Sequence, residues 1–329
     1  MKAATIYSIA AELGISGSTV SRAFSRPDLV KDDVRERILA TAAARGYAPN
    51  RAARGLATGR TGLIGLVVVD ITNPFFPPLV GSIERAAAGI EASVLLVDAA
   101  AHAPAEPGLV QRLSSQVDGL IVASSRLPTA DLKVAIGATT PAVLVNRAAA
   151  GLASVVCDNS EALRGAADHL VELGHRRLVV LRGPAASWAA QRRTAAIRTW
   201  ARSAPSDVKV IELGPFDAVF ESGRDAVPDI LESGATGILA FDDLMACGVI
   251  AGLAERGVRV PADCSIVGCD DVLLARMLTP PLTTVTAPFE ELGRHAVELL
   301  SEVIAGAPRP ANVKLSGSLT IRGTTAPVR

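Results

Sequence analysis

The sequence has little of what marks an enzyme, a membrane protein or a disulfide scaffold. Its four cysteines, Cys157, Cys247, Cys264 and Cys269, stand in or beside apolar stretches without C-x-x-C spacing. That excludes a zinc site of the usual spacing and leaves buried core thiols. No apolar run reaches membrane-spanning length; the one at Leu63–Val69 is interrupted by Gly65, stops at Asp70 and reads as a buried strand. The opening MKAATIYS lacks an apolar segment and a cleavage site, so a cytoplasmic protein is expected, resident on the nucleoid if it binds DNA. No G-x-G, G-x-x-x-x-G-K, G-x-S-x-G or H-E-x-x-H occurs, which removes the dinucleotide fingerprint, the phosphate loop, the hydrolase elbow and the zinc-protease motif. The four histidines are scattered. No catalytic group, cofactor or metal is expected.

Net charge is also absent, but only in total. Residues 1–60 carry ten basic side chains against five acids, a net of +5; the whole chain balances 33 against 33, so the other 269 residues are −5. A basic head on an acidic body suits a module that binds a polyanion. Within that head, Thr5–Phe24 reads as two short helices around a tight turn. Thr5 caps the first, on which Ile6, Ile9, Ala10 and Leu13 form one apolar stripe. Gly14 ends it in a left-handed conformation, and Ser16 caps the second. Val20, Ala23 and Phe24 face inward there. Gly17, Ser18, Ser21, Arg22 and Ser25 face outward, small or polar groups able to approach a base edge or phosphate. A third helix is expected over Asp32–Arg45, with Val34, Ile38, Leu39 and Ala42 inward and Asp32 as its cap. Three such helices make a small all-α helix-turn-helix unit of the DNA-binding kind.

Asn50–Arg60 is Ala-rich but short and holds Gly55, so alone in water it should be mostly coil. Beyond it, apolar runs at Leu63–Val69, Val94–Val97, Leu120–Val122, Val143–Val145, Leu178–Leu181, Val208–Ile211, Ile238–Phe241 and Ile266–Cys269 alternate with helical segments such as Ser82–Ile90 and Ser160–Leu173. This pattern predicts doubly wound α/β architecture, parallel sheets covered by helices on both faces. Open sheets of that kind bind ligands at the carboxyl ends of their strands. Phe75, Phe76, Ser124, Ser125, Arg193, Asp242 and Asp270 are the candidates at such ends, and Arg147, after the fourth run, is added. Aromatic faces, hydroxyls, guanidinium and carboxylates suit a polyhydroxylated small molecule. The pairs Asp242–Asp243 and Asp270–Asp271 are read as ligand-anchoring or turn residues, since adjacent carboxylates do not face each other as a catalytic dyad does.

TIYSIAAELGISGSTVSRAF and the following VRERILATAAARGYAPNRAARGLATGRTGLIGLVVVD resemble the headpiece, hinge and first strand of the LacI/GalR family of bacterial transcription regulators. NPFF at Asn73–Phe76, VDGLIV at Val117–Val122, LGHRRLVVLRGP at Leu173–Pro184, SIVGCDD at Ser265–Asp271 and TPPLTTV at Thr279–Val285 extend the likeness collinearly over nearly the full length. The resemblance implies a headpiece over 1–49, a hinge helix over 50–60, and a bilobal effector-binding and dimerisation body over 61–329. One subdomain would comprise 61–159 and 288–320, the other 160–287 and the C-terminal residues.

By the same resemblance, a homodimer binds a near-palindromic operator and a small-molecule effector, a sugar or related metabolite, sits between the subdomains. Arg22 and Ser18 would reach base edges, and Thr5 and Ser21 phosphates. Gly17, Thr19, Ser25, Asn50, Arg51 and Ala53 would complete the interface, and Leu56 would wedge into the minor groove. Phe76, Arg193 and Asp270 match effector-contacting positions. One more aromatic is expected within Gly214–Gly223, where Phe216 and Phe220 both qualify; Phe220 is counted with the site. Asp242 stands in place of a common asparagine and Cys269 in place of an aromatic, so a more anionic, roomier cleft is expected. Pro77 and Pro78 occupy the first turn of a helix and are expected to shift it. The rival from another class is a sugar-binding protein of the periplasmic type, which the basic headpiece argues against.

Overall fold

The computed structural model describes residues 4–47, 60–100, 104–306 and 311–328. The chain divides into two compact units, Met1–Gly62 and Leu63–Arg329. In the first, α1 (Ile6–Leu13) starts at Thr5, whose hydroxyl accepts from the Ser8 N–H while the Ser8 hydroxyl faces the Thr5 backbone, a reciprocal capping box. Gly14 closes it at φ 66°, a left-handed value that a Cβ would disfavour. The Ser16 hydroxyl then accepts from Thr19 N–H and opens α2 (Gly17–Ser25). A 3₁₀ turn at Pro27–Leu29 leads to α3 (Asp32–Ala44). Ile9, Ala10, Val20, Ala23, Ile38 and Ala42 form the shared core, and the Phe24 and Tyr47 rings meet at 5.8 Å. Two expectations fail in α3. Asp32 lies inside the helix rather than capping it; Lys31 holds the cap position with no side-chain bond, and the aspartate acts only as a negative charge in the first turn. Leu39 is 37% exposed, because three helices this short cover only the Ile38–Ala42 stripe.

The second unit has two lobes. The first contains β1 (Leu63–Val68), α4 (Phe76–Gly89), β2 (Ser93–Asp98), α5 (Glu106–Ser114), β3 (Gly119–Ala123), α6 (Thr129–Ile136), β4 (Ala142–Val145) and β5 (Ala153–Asp158). The second contains α7 (Ser160–Glu172), β6 (Arg177–Leu181), α8 (Trp188–Ala201), β7 (Lys209–Leu213), α9 (Phe220–Asp225), α10 (Val227–Glu232), β8 (Gly237–Leu239), α11 (Asp243–Ala254), β9 (Ser265–Asp270), α12 (Leu273–Met277) and β10 (Thr283–Thr286). The chain then returns to the first lobe as α13 (Phe289–Ile304) and β11 (Asn312–Ser316), and ends in the second with β12 (Ser318–Thr320).

The first sheet, β11-β5-β4-β3-β1-β2, is wholly parallel; the second, β12-β10-β9-β8-β6-β7, is parallel except for antiparallel β12 against β10. Burial on both faces explains the uninterrupted apolar strands: along β1, Ile64, Leu66 and Val68 enter the layer under α4 and α13, and Val67 the layer under α5 and α6. Three segments cross between the lobes, after Asp158, after Ala287 and at Gly317. Residues 318–320, expected in the first subdomain, therefore belong to the second, where Leu319 pairs with Val285. Pro77 and Pro78 sit in the first turn of α4, where their missing N–H groups have no helical partner to lose.

All four cysteines are free, and three are buried. Burial pushes the Cys157 and Cys264 thiols up to about 12, far from reactive thiolates. His175 is a buried tie, its ring nitrogens bonded to the Thr236 hydroxyl at 2.9 Å and the Ala326 carbonyl at 3.2 Å.

Candidate functional site

Both sheets present their parallel strands' carboxyl ends to one cleft, partly open to solvent. From the first lobe come Asn73, Phe75 and Phe76 after β1, Ser124 and Arg126 after β3, and Asn146 after β4. The second lobe supplies Ser187 and Arg193 around the start of α8, Ala218 before α9, Phe241 and Asp242 after β8, and Asp270 at the end of β9. Ser124, Asn146 and Asp270 hold φ values of 56°, 55° and 112°. Such backbone costs of order 1–3 kcal/mol each and gathers where a site needs a side chain aimed against local preference.

Arg193 organises the second-lobe wall. It donates to Asp270 Oδ1 and to the Phe241 carbonyl, both at 2.6 Å, and its guanidinium lies 4.9 Å from the Phe241 ring centroid. Phe241 is pressed there by Gly183, whose missing Cβ would stand 2.5 Å from the ring. Burial pushes the Asp270 carboxyl up from the ordinary range, while Arg193 pulls it back toward the charged form. Asp242 caps α11 by accepting from Met245 N–H at 2.8 Å, and its second oxygen accepts from Asn73 Nδ2 at 3.2 Å. Burial raises its carboxyl too. Asn73 also donates to the Ala218 carbonyl at 3.2 Å, so one first-lobe amide binds two second-lobe loops.

Six of the nine expected residues, Phe75, Phe76, Ser124, Arg193, Asp242 and Asp270, meet in the cleft, and three do not. Ser125 and Arg147 turn away into the first lobe, where Arg147 Nη1 donates to the Ser125 carbonyl at 2.7 Å. Adjacent residues leaving a strand point to opposite sides, and Ser124 and Asn146 take the cleft side. Phe220 is also displaced: its carbonyl would lie 1.9 Å from a Cβ on Gly248, so it is fixed by the close approach of α9 to α11. Phe216 packs on the second-lobe core, and Ala218 fills the place between them. Of the carboxylate pairs, Asp243 and Asp271 are structural. Asp243 accepts from Thr284 Oγ1 at 2.5 Å and Val272 N–H at 2.9 Å; Asp271 pairs with Arg322 at 2.6 Å.

Asn73, Arg126, Asn146, Ser187 and Phe241 were not anticipated. Only Asn73 had a signal, as the first residue of NPFF at a strand end. Behind the loop that carries Arg126 lies buried Glu106, with Oε1 unpartnered among the described residues. Burial pushes its carboxyl up, against hydrogen bonds from Ser125 and the Arg126 backbone and the charges of Arg147 and Arg126. Among the described residues no set of His, Cys, Asp or Glu side chains is grouped to hold a metal ion. Nor is any helix there long and apolar enough to cross a membrane.

In the helical unit, Ser18 and Arg22 are exposed on α2 as expected, with Ser21 on the same face. Ser18 and Thr19 bond to the Ser16 hydroxyl at 2.7 and 2.8 Å, which ties both side chains to the helix start. The Tyr7 ring lies 3.3 Å from where a Gly17 Cβ would stand and is 74% exposed, so an aromatic from α1 covers the bare position on α2. The sequence held the clue: Tyr7 lies off the apolar stripe of α1. Asn50, Arg51, Ala53 and Leu56 fall outside the described residues, as does the Ser25 side chain.

Fold and cleft define a class: a bilobal ligand-binding body of periplasmic-binding-protein type, in a chain that begins with a helix-turn-helix unit. Residues 5–50 match the model of the bacterial regulatory proteins of the lacI family, and residues 167–325 that of the periplasmic binding protein-like domain. The chain is 31% identical to the HTH-type transcriptional repressor CytR of Escherichia coli K12, over 98% of this chain and 96% of that one. It is likewise 31% identical to the ribose operon repressor of Bacillus subtilis, over 93% of each. The structure of the lac repressor dimer bound to operator and the anti-inducer ONPF superposes with a TM-score of 0.88 at 30% identity, covering 99% of this chain and 100% of that one. A LacI family regulator from Enterococcus faecalis with bound ribose gives 0.72 at 31% identity, covering 81% and 100%. The chain belongs to the LacI family. It is a DNA-binding transcription regulator, and not an enzyme.

Proposed function

We propose that this chain acts as a cytoplasmic, homodimeric repressor whose hold on a near-palindromic operator is set by a small polyhydroxylated metabolite bound between the lobes. The observation that carries the reading is the convergence of Phe76, Ser124, Arg193, Asp242 and Asp270 at strand ends from two lobes bridged by Asn73. A molecule seated there touches both lobes and favours one closure state, and only such differential affinity couples a ligand to DNA. On the DNA side, Arg22 and Ser18 read base edges, Thr5 and Ser21 meet phosphates, Tyr7 supplements the bare Gly17, and the hinge with Leu56 opens the central minor-groove step. The dimer follows the lac repressor dimer, and a sugar effector follows the ribose-bound relative.

Selection of bound sequences from random duplex DNA tests the first half; a near-palindromic consensus is expected, and recovery of no consensus would overturn it. For the second half, sugars and nucleosides are screened by thermal shift. The ligand found should change operator affinity, and Asp270→Asn should weaken its binding. A ligand whose midpoint ignores that substitution does not bind where we place it.

A further inference from the structure

We propose that the effector carries an anionic group, a phosphate or carboxylate, which docks on Arg126 in the first-lobe wall. The inference rests on the cleft being the effector site. Four charged side chains line that cleft: Arg126, Arg193, Asp242 and Asp270. Three are already engaged within the protein. Arg193 is held by Asp270 and the Phe241 carbonyl, and Asp242 accepts from Met245 N–H and Asn73 Nδ2. Asp270 has one oxygen on Arg193. Arg126 differs: among the described residues its guanidinium makes no hydrogen bond and no ion pair, though it is half-buried at the cleft wall. Among the described residues, the donors of this planar fork thus have no hydrogen-bond acceptor, and the side chain lines the ligand space.

The surroundings add to this. Glu106 is buried behind that loop and lies in the field of two guanidiniums, Arg147 and Arg126. One carboxyl between two cations leaves the first-lobe wall positive. Across the cleft the balance is reversed, since Asp242 and Asp270 share the single cation Arg193. The two walls therefore orient a ligand: its acidic group goes to Arg126, where a bidentate fit to phosphate or carboxylate is available, and its hydroxyls go to the carboxylates opposite. A neutral polyol in the same place would strip water from Arg126 and return no charge. Phosphorylated and carboxylated metabolites share this chemistry, and the test separates them.

The full-length protein is titrated by calorimetry against matched pairs: ribose and ribose 5-phosphate, glucose and glucose 6-phosphate, fructose and fructose 1-phosphate, glucose and gluconate, adenosine and its 5′-monophosphate. An acidic member should bind about tenfold or more tightly than its neutral parent. Arg126→Gln should bring its affinity down to that of the parent, and Arg126→Lys should recover part of it, with circular dichroism checking that each variant folds. A neutral parent binding as well as its acidic partner overturns the inference. So does an acidic ligand indifferent to Arg126→Gln, or the failure of every acidic compound to bind. A ligand weakened by Asp270→Asn but not by Arg126→Gln leaves the cleft standing and removes the anionic requirement. Indifference to both substitutions removes the cleft as well.

Discussion

Arg193 and Asp270 form an ion pair of 2.6 Å inside the cleft, with only 11% and 5% of their side chains exposed. They come from a helix and a strand end far apart in sequence, and each excludes water from the other. A pair of this kind adds little to net stability, because two desolvation costs offset the attraction, but it makes each partner expensive to remove alone.

Arg193→Met should therefore lower the unfolding free energy by about 3–5 kcal/mol at pH 7, by stranding Asp270 beside Asp242. Adding Asp270→Asn should recover part of that loss, since the unpaired charge is gone. The pH dependence has a defined sign. Burial already holds the folded-state pKa of Asp270 above the unfolded value; without Arg193, burial and the Asp242 charge push it higher still, so the folded state takes up a proton more readily as pH falls. The deficit of Arg193→Met against wild type should thus shrink from pH 7 toward pH 4. Urea unfolding of the three proteins checks both; a double variant no more stable than the single one would show that the pair is not coupled.

Sequence pattern made most of the body legible because its strands are buried on both faces and read as plain apolar runs. It failed at the buried strand β5, which no expected run covers, and at the returning strands. In β10, Thr283 and Thr284 are fully buried, yet they look polar because their partners, Thr324 and Thr325 for one and Asp243 for the other, are distant in sequence. β11 alternates at a sheet edge, and three-residue β12 is too short to show a period. The strand-end rule found Phe76, Arg193, Asp242 and Asp270, but it locates a loop rather than a side-chain direction. It therefore took Ser125 and Arg147 for their neighbours Arg126 and Asn146. Glu106 beneath them was beyond reach, since only tertiary packing brings the start of α5 to that loop.

Asp158 and Lys314 offer a second pH test, at the crossing between the lobes. Burial opposes ionisation of Asp158, but the Lys314 ammonium and the Ser160 hydroxyl and N–H hold it down at about 2. Its folded-state pKa is below the unfolded value, so its contribution is present above about pH 4 and lost as pH falls through about 2. Lys314 is largely exposed, which limits the pair to about 1 kcal/mol or less. Lys314→Met should cost that much at pH 7 and progressively less as pH falls from about 4 through about 2, as read by the difference in urea midpoints. A deficit independent of pH would assign the loss to packing of β11.

Arg22 and Arg51 should differ in kind. Arg22 is exposed on α2 among Ser18 and Ser21, and Arg22→Ala should relax preference at one base per half-site at a cost of about 1–3 kcal/mol. Arg51→Gln should weaken all duplexes alike and reduce the slope of log affinity against log salt by about one. Binding selections and salt titrations separate the two. An unchanged consensus and affinity for Arg22→Ala would move the recognition face elsewhere.

Asn73 is the last test, because it acts between the lobes rather than within one. Its Nδ2 donates to Asp242 Oδ2 and to the Ala218 carbonyl, while its Oδ1 accepts from Phe75 N–H at 3.0 Å and holds the loop shape. Asn73→Asp keeps the acceptor for Phe75 but turns the donor into a second acceptor facing a buried carboxylate. Like charges at that spacing repel, so the lobes should open: the radius of gyration in small-angle scattering should rise, and affinity for the cleft ligand should fall by about tenfold or more. Adding Asp242→Asn restores a donor and acceptor with reversed polarity, and an asparagine oxygen can still cap α11 at Met245. The double variant should regain most of the compact shape, less the bond to the Ala218 carbonyl, whereas ligand affinity stays lowered because Asp242 itself lines the cleft. If Asn73→Asp alone leaves scattering and affinity unchanged, the Asn73–Asp242 bond does not hold the lobes together, and closure must be sought in the three crossing segments instead.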